Sequence, residues 1–257
     1  MIKAVMHGCN GRMGRMIASL VKEDPDIEIT AGVDAFQSDE KADFPVFESM
    51  AACTADADVV IDFSNAAAVD GLLCACTEKK LPLVLCTTGL SEEQLRKVED
   101  TAKQIPILKA ANMSLGINLM MDLLKKAVSV LYPAGFDVEI VERHHNQKLD
   151  APSGTALALA DAMNEEMDEI YQYTFDRSKE RKKRERAEIG ISAVRGGNIV
   201  GEHTVIFAGG DEVVEIKHTA TSRAVFGKGA IEAAKWLSSA TPGLYDMSDV
   251  IAGKGRV

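Results

Sequence analysis

The chain has 257 residues, of which 46% are hydrophobic, enough to fill the core of one large domain or of two modest ones. Its formal net charge of -10 argues against a general affinity for nucleic acid. The five cysteines are an odd count without a Cys-x-x-Cys pair, which fits a reducing compartment and no disulfide framework. Met1 leads directly into an apolar run without a targeting signal, and no apolar stretch reaches membrane length. We therefore expect a soluble, cytoplasmic protein that binds neither nucleic acid nor membranes.

The N-terminus has the pattern of a strand, a glycine turn and an amphipathic helix. The apolar run Ile2–Met6 predicts the strand. After it, Gly8 permits a tight turn, Gly11 lets the backbone approach a pyrophosphate, and Gly14 lets the helix pack on a sheet. The spacing is Gly-x-x-Gly-x-x-Gly instead of the usual Gly-x-Gly-x-x-Gly. In this context the glycines predict a dinucleotide-binding loop.

Asp34 strengthens this prediction because it ends the second predicted strand, Glu28–Val33. An acidic residue at this position hydrogen-bonds the adenosine ribose in dinucleotide-binding folds. Arg12, at the start of the predicted helix, is an alternative partner for phosphate. Neither Ala35 nor Phe36 supplies a cation for an adenosine 2′-phosphate, so we expect NADH to serve at least as well as NADPH.

Three further apolar runs have the character of parallel strands that are covered on both faces: Val59–Phe63, Leu83–Cys86 and Ile107–Ala110. Helices are predicted between them at Ala66–Glu78 and Glu92–Gln104, the second with a capped start at Ser91. The loops after these strands are expected to line the carboxyl edge of the sheet, where nucleotides bind. They are Ser64-Asn65, Thr87-Thr88-Gly89 and Ala111-Asn112-Met113-Ser114.

The pattern changes after Ser114, where a predicted helix at Leu119–Leu131 is followed by segments that alternate as half-buried strands do. These predicted strands are Phe136–Val141, Ile189–Arg195, His203–Ala208 and Glu212–Thr219. Few helices separate them, which favours an open antiparallel or mixed sheet. Gly227–Ser238 is helical again and is expected to return to the first domain. We predict an α/β protein with a parallel-sheet nucleotide domain at residues 1–114 and 226–257, and a smaller α+β mixed-sheet domain at residues 115–225.

The segment Glu142–Ala156 is the most informative part of the chain. Its first half supplies proton donors, because His144, His145 and Lys148 are predicted to lie on a polar turn. Zinc is the alternative for a histidine pair. No Cys or carboxylate lies at ligand spacing around this pair, and Lys148 would repel a metal ion, so we expect no metal site.

The second half of this segment opens a helix. Pro152 and Ser153 form a stop and a cap, and an apolar run continues from Ala156. A helix start exposes unpaired N–H groups and the positive end of the helix dipole, so it binds anions. Gly154 lets a ligand approach the backbone, and the hydroxyls of Ser153 and Thr155 add donors. Proton donors beside an anion site indicate a substrate with a carboxylate that receives a proton.

The densest basic run, Arg177–Arg186, is interspersed with Glu180 and Glu185. Because mixed charges of this kind usually face water, we interpret the run as a solvated loop. A contact with phosphate or substrate is the alternative.

On these residues, the chain resembles the dihydrodipicolinate reductase family, also called 4-hydroxy-tetrahydrodipicolinate reductases, over nearly its whole length. The most specific element is Glu142–Ala156, supported by Gly8–Gly14, Ala111–Ser114 and Gly201–Thr204. The resemblance implies a Rossmann-like nucleotide domain, a mixed-sheet domain for substrate and assembly, and a homotetramer joined through those sheets. It also implies NAD(P)H-dependent reduction of a small cyclic dicarboxylate, 4-hydroxy-tetrahydrodipicolinate or dihydrodipicolinate, in lysine and diaminopimelate biosynthesis.

The resemblance also implies roles for single residues. His144 matches the family's proton donor and acceptor, and Lys148 matches its second proton donor. The substrate contacts that it implies are His145, Gly154 and Thr155. The implied cofactor contacts are Gly8, Cys9, Asn10, Gly11, Arg12, Met13, Asp34, Cys86, Thr87, Thr88, Ala110, Ala111, Asn112 and Met113. The chain departs from the family at Cys86, where Gly is common, at Met113, where Phe is frequent, and after Asp34, where no Arg follows.

Two other functions account for part of the pattern. Another Rossmann oxidoreductase, such as an amino-acid dehydrogenase, explains the N-terminal half but not the combination of His144, Lys148 and the helix start. A non-catalytic dinucleotide sensor keeps the glycine loop but needs neither proton donor. Oxidation of NADH with the condensation product of pyruvate and aspartate semialdehyde separates the three functions.

Overall fold

The computed structural model describes residues 1–36, 38, 42–168, 170–179 and 181–253. The chain forms two compact units. The first consists of Met1–Leu115 and the segment from Ala224 onward, and the second of Gly116–Arg223. Each unit has its own sheet and its own buried apolar residues.

Within the described residues, the sheet of the first unit has seven strands, and every pairing in it is parallel. The strands are β1 (Ile2–His7), β2 (Ile27–Val33), β3 (Val46–Phe47), β4 (Val59–Asp62), β5 (Leu83–Leu85), β6 (Pro106–Lys109) and β12 (Gly243–Tyr245). Their order is β12-β6-β5-β4-β1-β2-β3, so the direction of winding reverses between β1 and β4. Open α/β sheets bind nucleotides at the carboxyl ends of the strands beside such a reversal.

Helices cover both faces of this sheet. They are α1 (Arg12–Val21), α2 (Val69–Lys79), α3 (Glu92–Ala102), α6 (Ala224–Leu237) and α7 (Met247–Ala252). Apolar residues of α1 and α6 pack in one buried cluster, and those of α2 and α3 pack in the other. Ser91 caps α3 through a capping box with Gln94, as predicted. The Rossmann-like parallel sheet that the apolar runs predict is confirmed.

The described part of the second unit has a five-stranded sheet in the order β11-β10-β7-β9-β8. Its elements, with a helix that begins at the edge of the unit, are α4 (Leu115–Leu131), β7 (Asp137–His144), α5 (Gly154–Glu166), β8 (Gln172–Thr174), β9 (Glu188–Arg195), β10 (Gly201–Ala208) and β11 (Val213–Ala220). β7 pairs antiparallel with β10 and parallel with β9, so the sheet is mixed. Side chains of α4 and α5 share one apolar cluster with alternate residues of the strands.

The basic run at 177–186 differs from the solvated loop that its composition indicates. Arg177 Nη2 donates to Glu139 Oε1 at 2.6 Å, and Arg184 forms an ion pair with Asp137. Asp137 and Glu139 are alternate residues of β7 and share the face opposite its buried apolar side chains. Arg177 and Arg184 therefore neutralise the acidic face of β7. The interpretation of the basic run as a solvated loop holds only for the exposed residues between these two arginines. Glu180 lies outside the described residues.

Candidate active site

Close contacts hold the glycine turn between β1 and α1. Gly8 has a φ of +80°, and a Cβ there would lie 2.5 Å from the carbonyl oxygen of Phe63. A Cβ on Gly14 would lie 2.7 Å from Cα of Cys9. Gly11 caps α1 without a side-chain hydrogen bond, which leaves the first N–H groups of the helix to a ligand or to water. The turn therefore fits a pyrophosphate at the positive end of the helix dipole.

Asp34 connects the end of β2 to this turn. One carboxylate oxygen accepts from the N–H of Asn10 at 3.0 Å, and the other accepts from the N–H of Phe36 at 3.0 Å. The side-chain amide of Asn10 donates to the carbonyl oxygen of Phe36 at 2.6 Å. These contacts hold the acidic group beside the turn, at the place where folds of this type bind the ribose.

A cavity of about 420 Å³ lies beside the turn in the first unit. Its described lining includes two carboxylates, Asp34 and Glu48, and neither Lys nor Arg. The guanidinium of Arg15 lies 3.0 Å from the hydroxyl of Ser38, so one cation reaches the loop after β2. The sequence analysis did not consider Arg15. Lys41, the other cation of this region of the sequence, lies outside the described residues.

A fully buried carboxylate, that of Asp62 at the end of β4, joins three neighbouring groups at the same edge of the sheet. Nδ1 of His7 and the hydroxyl of Thr87 each lie 2.6 Å from it, and the N–H of Ser64 donates to it at 3.2 Å. Thr87 is a predicted cofactor contact, whereas His7 and Asp62 are not. The sequence signal that would have identified Asp62 as a site residue is an acidic residue at the end of an otherwise apolar strand.

The remaining predicted cofactor residues follow β5 and β6 at this edge. Thr88 and Ala111 are exposed, whereas the side chains of Cys86 and Met113 are buried, which leaves only their backbone groups for a ligand. Burial raises the pKa of Cys86 well above that of an ordinary thiol, so Cys86 is unreactive. The parallel strands thus bring the glycine turn, Asp34 and both later loops to one edge of the sheet.

In the second unit, the predicted helix start is confirmed. The hydroxyl of Ser153 accepts from the N–H of Ala156 at 3.2 Å and caps α5. Ser153 itself is 1% exposed, so its side chain is a cap and not an exposed donor. Gly154 is exposed, and a Cβ there would meet nothing within 4 Å. Neither packing nor backbone conformation requires a glycine at this position, so it suits the close approach of a ligand to the N–H groups of Gly154 and Thr155.

Asp150 connects Lys148 to this helix start. Its carboxylate lies 2.8 Å from Nζ of Lys148 and accepts from the N–H of Gly154 at 3.3 Å. Lys148 lowers the pKa of Asp150, so the group at the helix start is an anion. The sequence analysis gave Asp150 no role, although it lies between two predicted site residues.

His144 does not lie on the polar turn that the sequence predicts. It is the last residue of β7 and is 8% exposed, because β7 extends three residues beyond its predicted end. Nδ1 of His144 lies 2.6 Å from Oε2 of Glu142. The carboxylate of Glu142 is fully buried and also accepts hydrogen bonds from both terminal nitrogens of Arg195. Burial by itself raises the pKa of Glu142, but the hydrogen bonds from Arg195 and His144 outweigh it and lower that pKa. His145 does lie beyond the strand, with Nε2 3.5 Å from Nη2 of Arg223.

His203 is a further buried group beside this cluster. Its Nε2 lies 3.0 Å from the hydroxyl of Ser153, and its ring meets that of His144 edge-on at 5.1 Å between centroids. Burial, with repulsion from His144, lowers the pKa of His203 to about 4, so the ring is neutral at pH 7. The sequence analysis missed Glu142, Arg195 and His203 as functional candidates, because strands distant in the chain bring them together.

Metal and membrane sites were also sought in the structure. Across the described ranges, no group of three or more His, Cys, Asp or Glu side chains is placed to hold a metal ion. No helix in the described part of the chain combines the length and apolar character needed to cross a membrane.

Comparison with known proteins identifies the family. A family described as "Dihydrodipicolinate reductase, N-terminus" matches residues 2–113, and one described as "Dihydrodipicolinate reductase, C-terminus" matches residues 116–251. The chain belongs to the dihydrodipicolinate reductase family. It is therefore an oxidoreductase that uses a nicotinamide dinucleotide.

Individual relatives agree with this family. The 4-hydroxy-tetrahydrodipicolinate reductase of Caldanaerobacter subterraneus subsp. tengcongensis is 52% identical over 98% of each chain. The enzyme of the same name from Clostridium tetani is 52% identical over 96% of each chain. Among solved structures, a dipicolinate-bound dihydrodipicolinate reductase from a Paenisporosarcina species aligns with a TM-score of 0.81 and 25% identity, over 96% of this chain and 97% of that one.

Proposed function

We propose that this chain reduces 4-hydroxy-tetrahydrodipicolinate, or the dihydrodipicolinate ring derived from it, to tetrahydrodipicolinate in lysine and diaminopimelate biosynthesis. The observation that carries the proposal is that buried His144 and partly buried Lys148 lie beside the start of α5 within one unit, where the carboxylate of Asp150 accepts from the N–H of Gly154. A proton donor and an anion site are what a cyclic dicarboxylate needs in order to be held and protonated. The dipicolinate bound to the Paenisporosarcina enzyme is a planar ligand of this class.

Substrate binding is assigned to the second unit. One carboxylate of the substrate accepts from the N–H groups of Gly154 and Thr155, where it replaces the carboxylate of Asp150. His145 and Lys148 hold the other polar side of the ring. Ser153 supports this arrangement as the cap of the helix.

The protein's part in the chemistry is proton transfer. A bound nicotinamide dinucleotide supplies the hydride. Reduction leaves negative charge toward the ring nitrogen, and His144 or Lys148 neutralises it by donating a proton. General acid catalysis of this kind contributes about 10² to 10⁴ to the rate.

The cofactor is assigned to the first unit, on the glycine turn, Asp34 and the loops after β5 and β6. NADH serves at least as well as NADPH, because Asp34 accepts hydrogen bonds from ribose hydroxyls and repels a 2′-phosphate. Repulsion at a partly solvated site amounts to about 1 kcal/mol, or roughly fivefold. Steady-state kinetics with both cofactors test this proposal, and a clear preference for NADPH would overturn it. The variant Arg15→Gln then shows whether the guanidinium near Ser38 is what lets the enzyme accept NADPH.

The function itself is tested by mixing the purified protein with NADH and the condensation product of pyruvate and aspartate semialdehyde. We expect NADH oxidation that depends on this product and that pyridine-2,6-dicarboxylate inhibits. An amino-acid dehydrogenase would instead reduce NAD⁺ with an amino acid, and a dinucleotide sensor would bind NADH without turnover. Either result would overturn the proposed reductase function in favour of the corresponding alternative.

A further inference from the structure

The carboxylate of Glu142 is fully buried and held by several donors, although the proposed chemistry gives it no task. Residues 138, 140, 142 and 144 of β7 alternate towards the covered face of the sheet, where the first two are apolar and the last two are Glu142 and His144. The buried face thus changes from apolar to ionisable at the carboxyl end of the strand. A buried carboxylate is costly unless several donors satisfy it.

Four hydrogen bonds satisfy this carboxylate. Oε1 accepts from Nη2 of Arg195 at 2.6 Å and from the N–H of Ser153 at 2.9 Å. Oε2 lies 2.7 Å from Nη1 of Arg195 and 2.6 Å from Nδ1 of His144. Arg195 is opposite His144 in the β7–β9 register, so the pairing of the strands positions the guanidinium. Both oxygens therefore accept, and the group is held as a carboxylate in the folded protein.

An ionised carboxylate can only accept hydrogen bonds, so the hydrogen in its contact with His144 belongs to Nδ1. The other ring nitrogen, Nε2, has no hydrogen-bond partner among the described residues. A Cβ on Gly201 would lie 3.1 Å from Nε2, so the glycine keeps the space beside this nitrogen clear. Proton exchange by His144 is thereby confined to Nε2, which donates a proton when the ring carries hydrogens on both nitrogens and accepts one when only Nδ1 carries a hydrogen.

We propose that Glu142 is a positioning residue, which fixes the His144 ring with its hydrogen on Nδ1 and ties it to the start of α5 through the N–H of Ser153. One side chain thus sets both the reactive nitrogen of the proton donor and its distance from the site of the substrate carboxylate. An acidic residue that orients a histidine in this way selects the tautomer without itself being protonated. The proposal rests on the proposed role of His144 in proton transfer.

The variant Glu142→Gln tests the proposal, because it keeps the shape of the side chain and removes the charge. We expect kcat to fall at least about tenfold, with KM for the substrate changed by less than about threefold. The ¹⁵N chemical shifts of the His144 imidazole should show the hydrogen on Nδ1 in the parent, and a mixture of tautomers in the variant. A purely structural role for Glu142 would not move the tautomer.

Glu139→Gln is the matched control. Glu139 lies on the same strand, on the opposite face, and pairs with Arg177 at 2.6 Å. This variant should keep the kcat and the His144 shifts of the parent. A parent-like kcat and tautomer in Glu142→Gln would overturn the proposal. If Glu142→Gln does not fold, the ¹⁵N shifts of the parent still decide, because a neutral His144 ring with its only hydrogen on Nε2 contradicts the assignment.

His144→Ala separates this inference from the proposed function. If His144→Ala keeps full turnover, the proton-transfer role of His144 is wrong, whatever Glu142 does. If His144→Ala is slow while Glu142→Gln is as fast as the parent, the proposed function stands and the positioning role is wrong.

Discussion

At the scale of single residues, Lys148 is expected to have a large effect on turnover. Its ammonium group is held 2.8 Å from Asp150, beside the start of α5, and its side chain is only 21% exposed. We expect Lys148→Ala to lower kcat at least about tenfold while the fold survives, because the variant loses the proposed proton donor and a cation beside the proposed substrate site. Steady-state kinetics, with far-UV circular dichroism for the fold, measure this.

Lys125→Ala is the control for Lys148. Lys125 also belongs to the second unit and forms an ion pair with Glu165, at 3.6 Å, on the surface of the helices. Its loss should leave the fold intact, since surface ion pairs contribute about 1 kcal/mol or less to stability. Because Lys125 is not part of the proposed site, kcat should also stay unchanged. A folded Lys148→Ala protein with the turnover of the parent would remove Lys148 from the mechanism.

The buried ring of His203 makes stability depend on pH. Its pKa is about 4 in the folded protein, mainly through burial and then through repulsion from His144, with Glu142 acting in the opposite direction. In an unfolded chain the pKa of histidine is about 6.5. Between these values the unfolded chain binds more protons, so the free energy of unfolding decreases as the pH falls from about 6.5 towards 4. The full shift corresponds to about 3 kcal/mol.

Urea denaturation at pH 7.5 and at pH 4.5 measures this dependence. We expect His203→Gln to lose less stability between the two pH values than the parent loses. The amide can still bond to the hydroxyl of Ser153 and has no proton to gain. Equal losses in the two proteins would show that His203 does not contribute to the acid sensitivity.

At the scale of elements, the start of α5 carries the test of carboxylate binding. A Cβ on Gly154 would meet nothing within 4 Å, so Gly154→Val should fold normally. The valine side chain would cover the N–H groups at the helix start, where we expect a carboxylate to bind. The affinity for pyridine-2,6-dicarboxylate should therefore fall at least about tenfold, which is roughly 1.4 kcal/mol of binding free energy.

Gly210→Val is the control for Gly154. Gly210 follows β10, and a Cβ there also meets nothing within 4 Å. Isothermal calorimetry should find affinity for the dicarboxylate in this variant equal to that of the parent. Unchanged affinity in Gly154→Val would place the carboxylate elsewhere.

Elements with an unbroken apolar run, a helical period or a clear cap were predictable, whereas short elements without such a signal were not. β5 is apolar throughout, β4 is apolar up to Asp62, and α3 has a capping box, so each was predicted with an error of a few residues. β3 and β12 have two and three residues, too few to show alternation, and they form because parallel neighbours supply their hydrogen bonds. β8 and α7 were missed for the same reason of length.

At the scale of the whole molecule, the assembly of the chain is the main expectation. We propose a homotetramer joined through the sheets of the second unit. Val194 and Val213 of these strands are 44% and 59% exposed, so the sheet offers apolar surface for burial. Light scattering coupled to size exclusion should give four times the mass of one chain, and a monomer or dimer across the working concentration range would contradict the tetramer. Val194→Glu should lower the measured mass, whereas the exposed surface variant Lys103→Glu should not.

The sequence by itself determined the parallel sheet, the glycine turn, the helix start at Ser153 and the family. These features rest on local signals, namely hydrophobic period, turn residues and contiguous motifs, which depend on neighbours in the chain. The tertiary structure alone decided that β7 continues to His144 and that the histidine is buried. It also decided that Glu142 joins it to Arg195, and that Asp62 joins His7 to Thr87. Apart from the contact between His144 and Glu142, which are two positions apart on β7, these contacts depend on strand register between residues more than 20 positions apart. No local pattern in one sequence encodes that register.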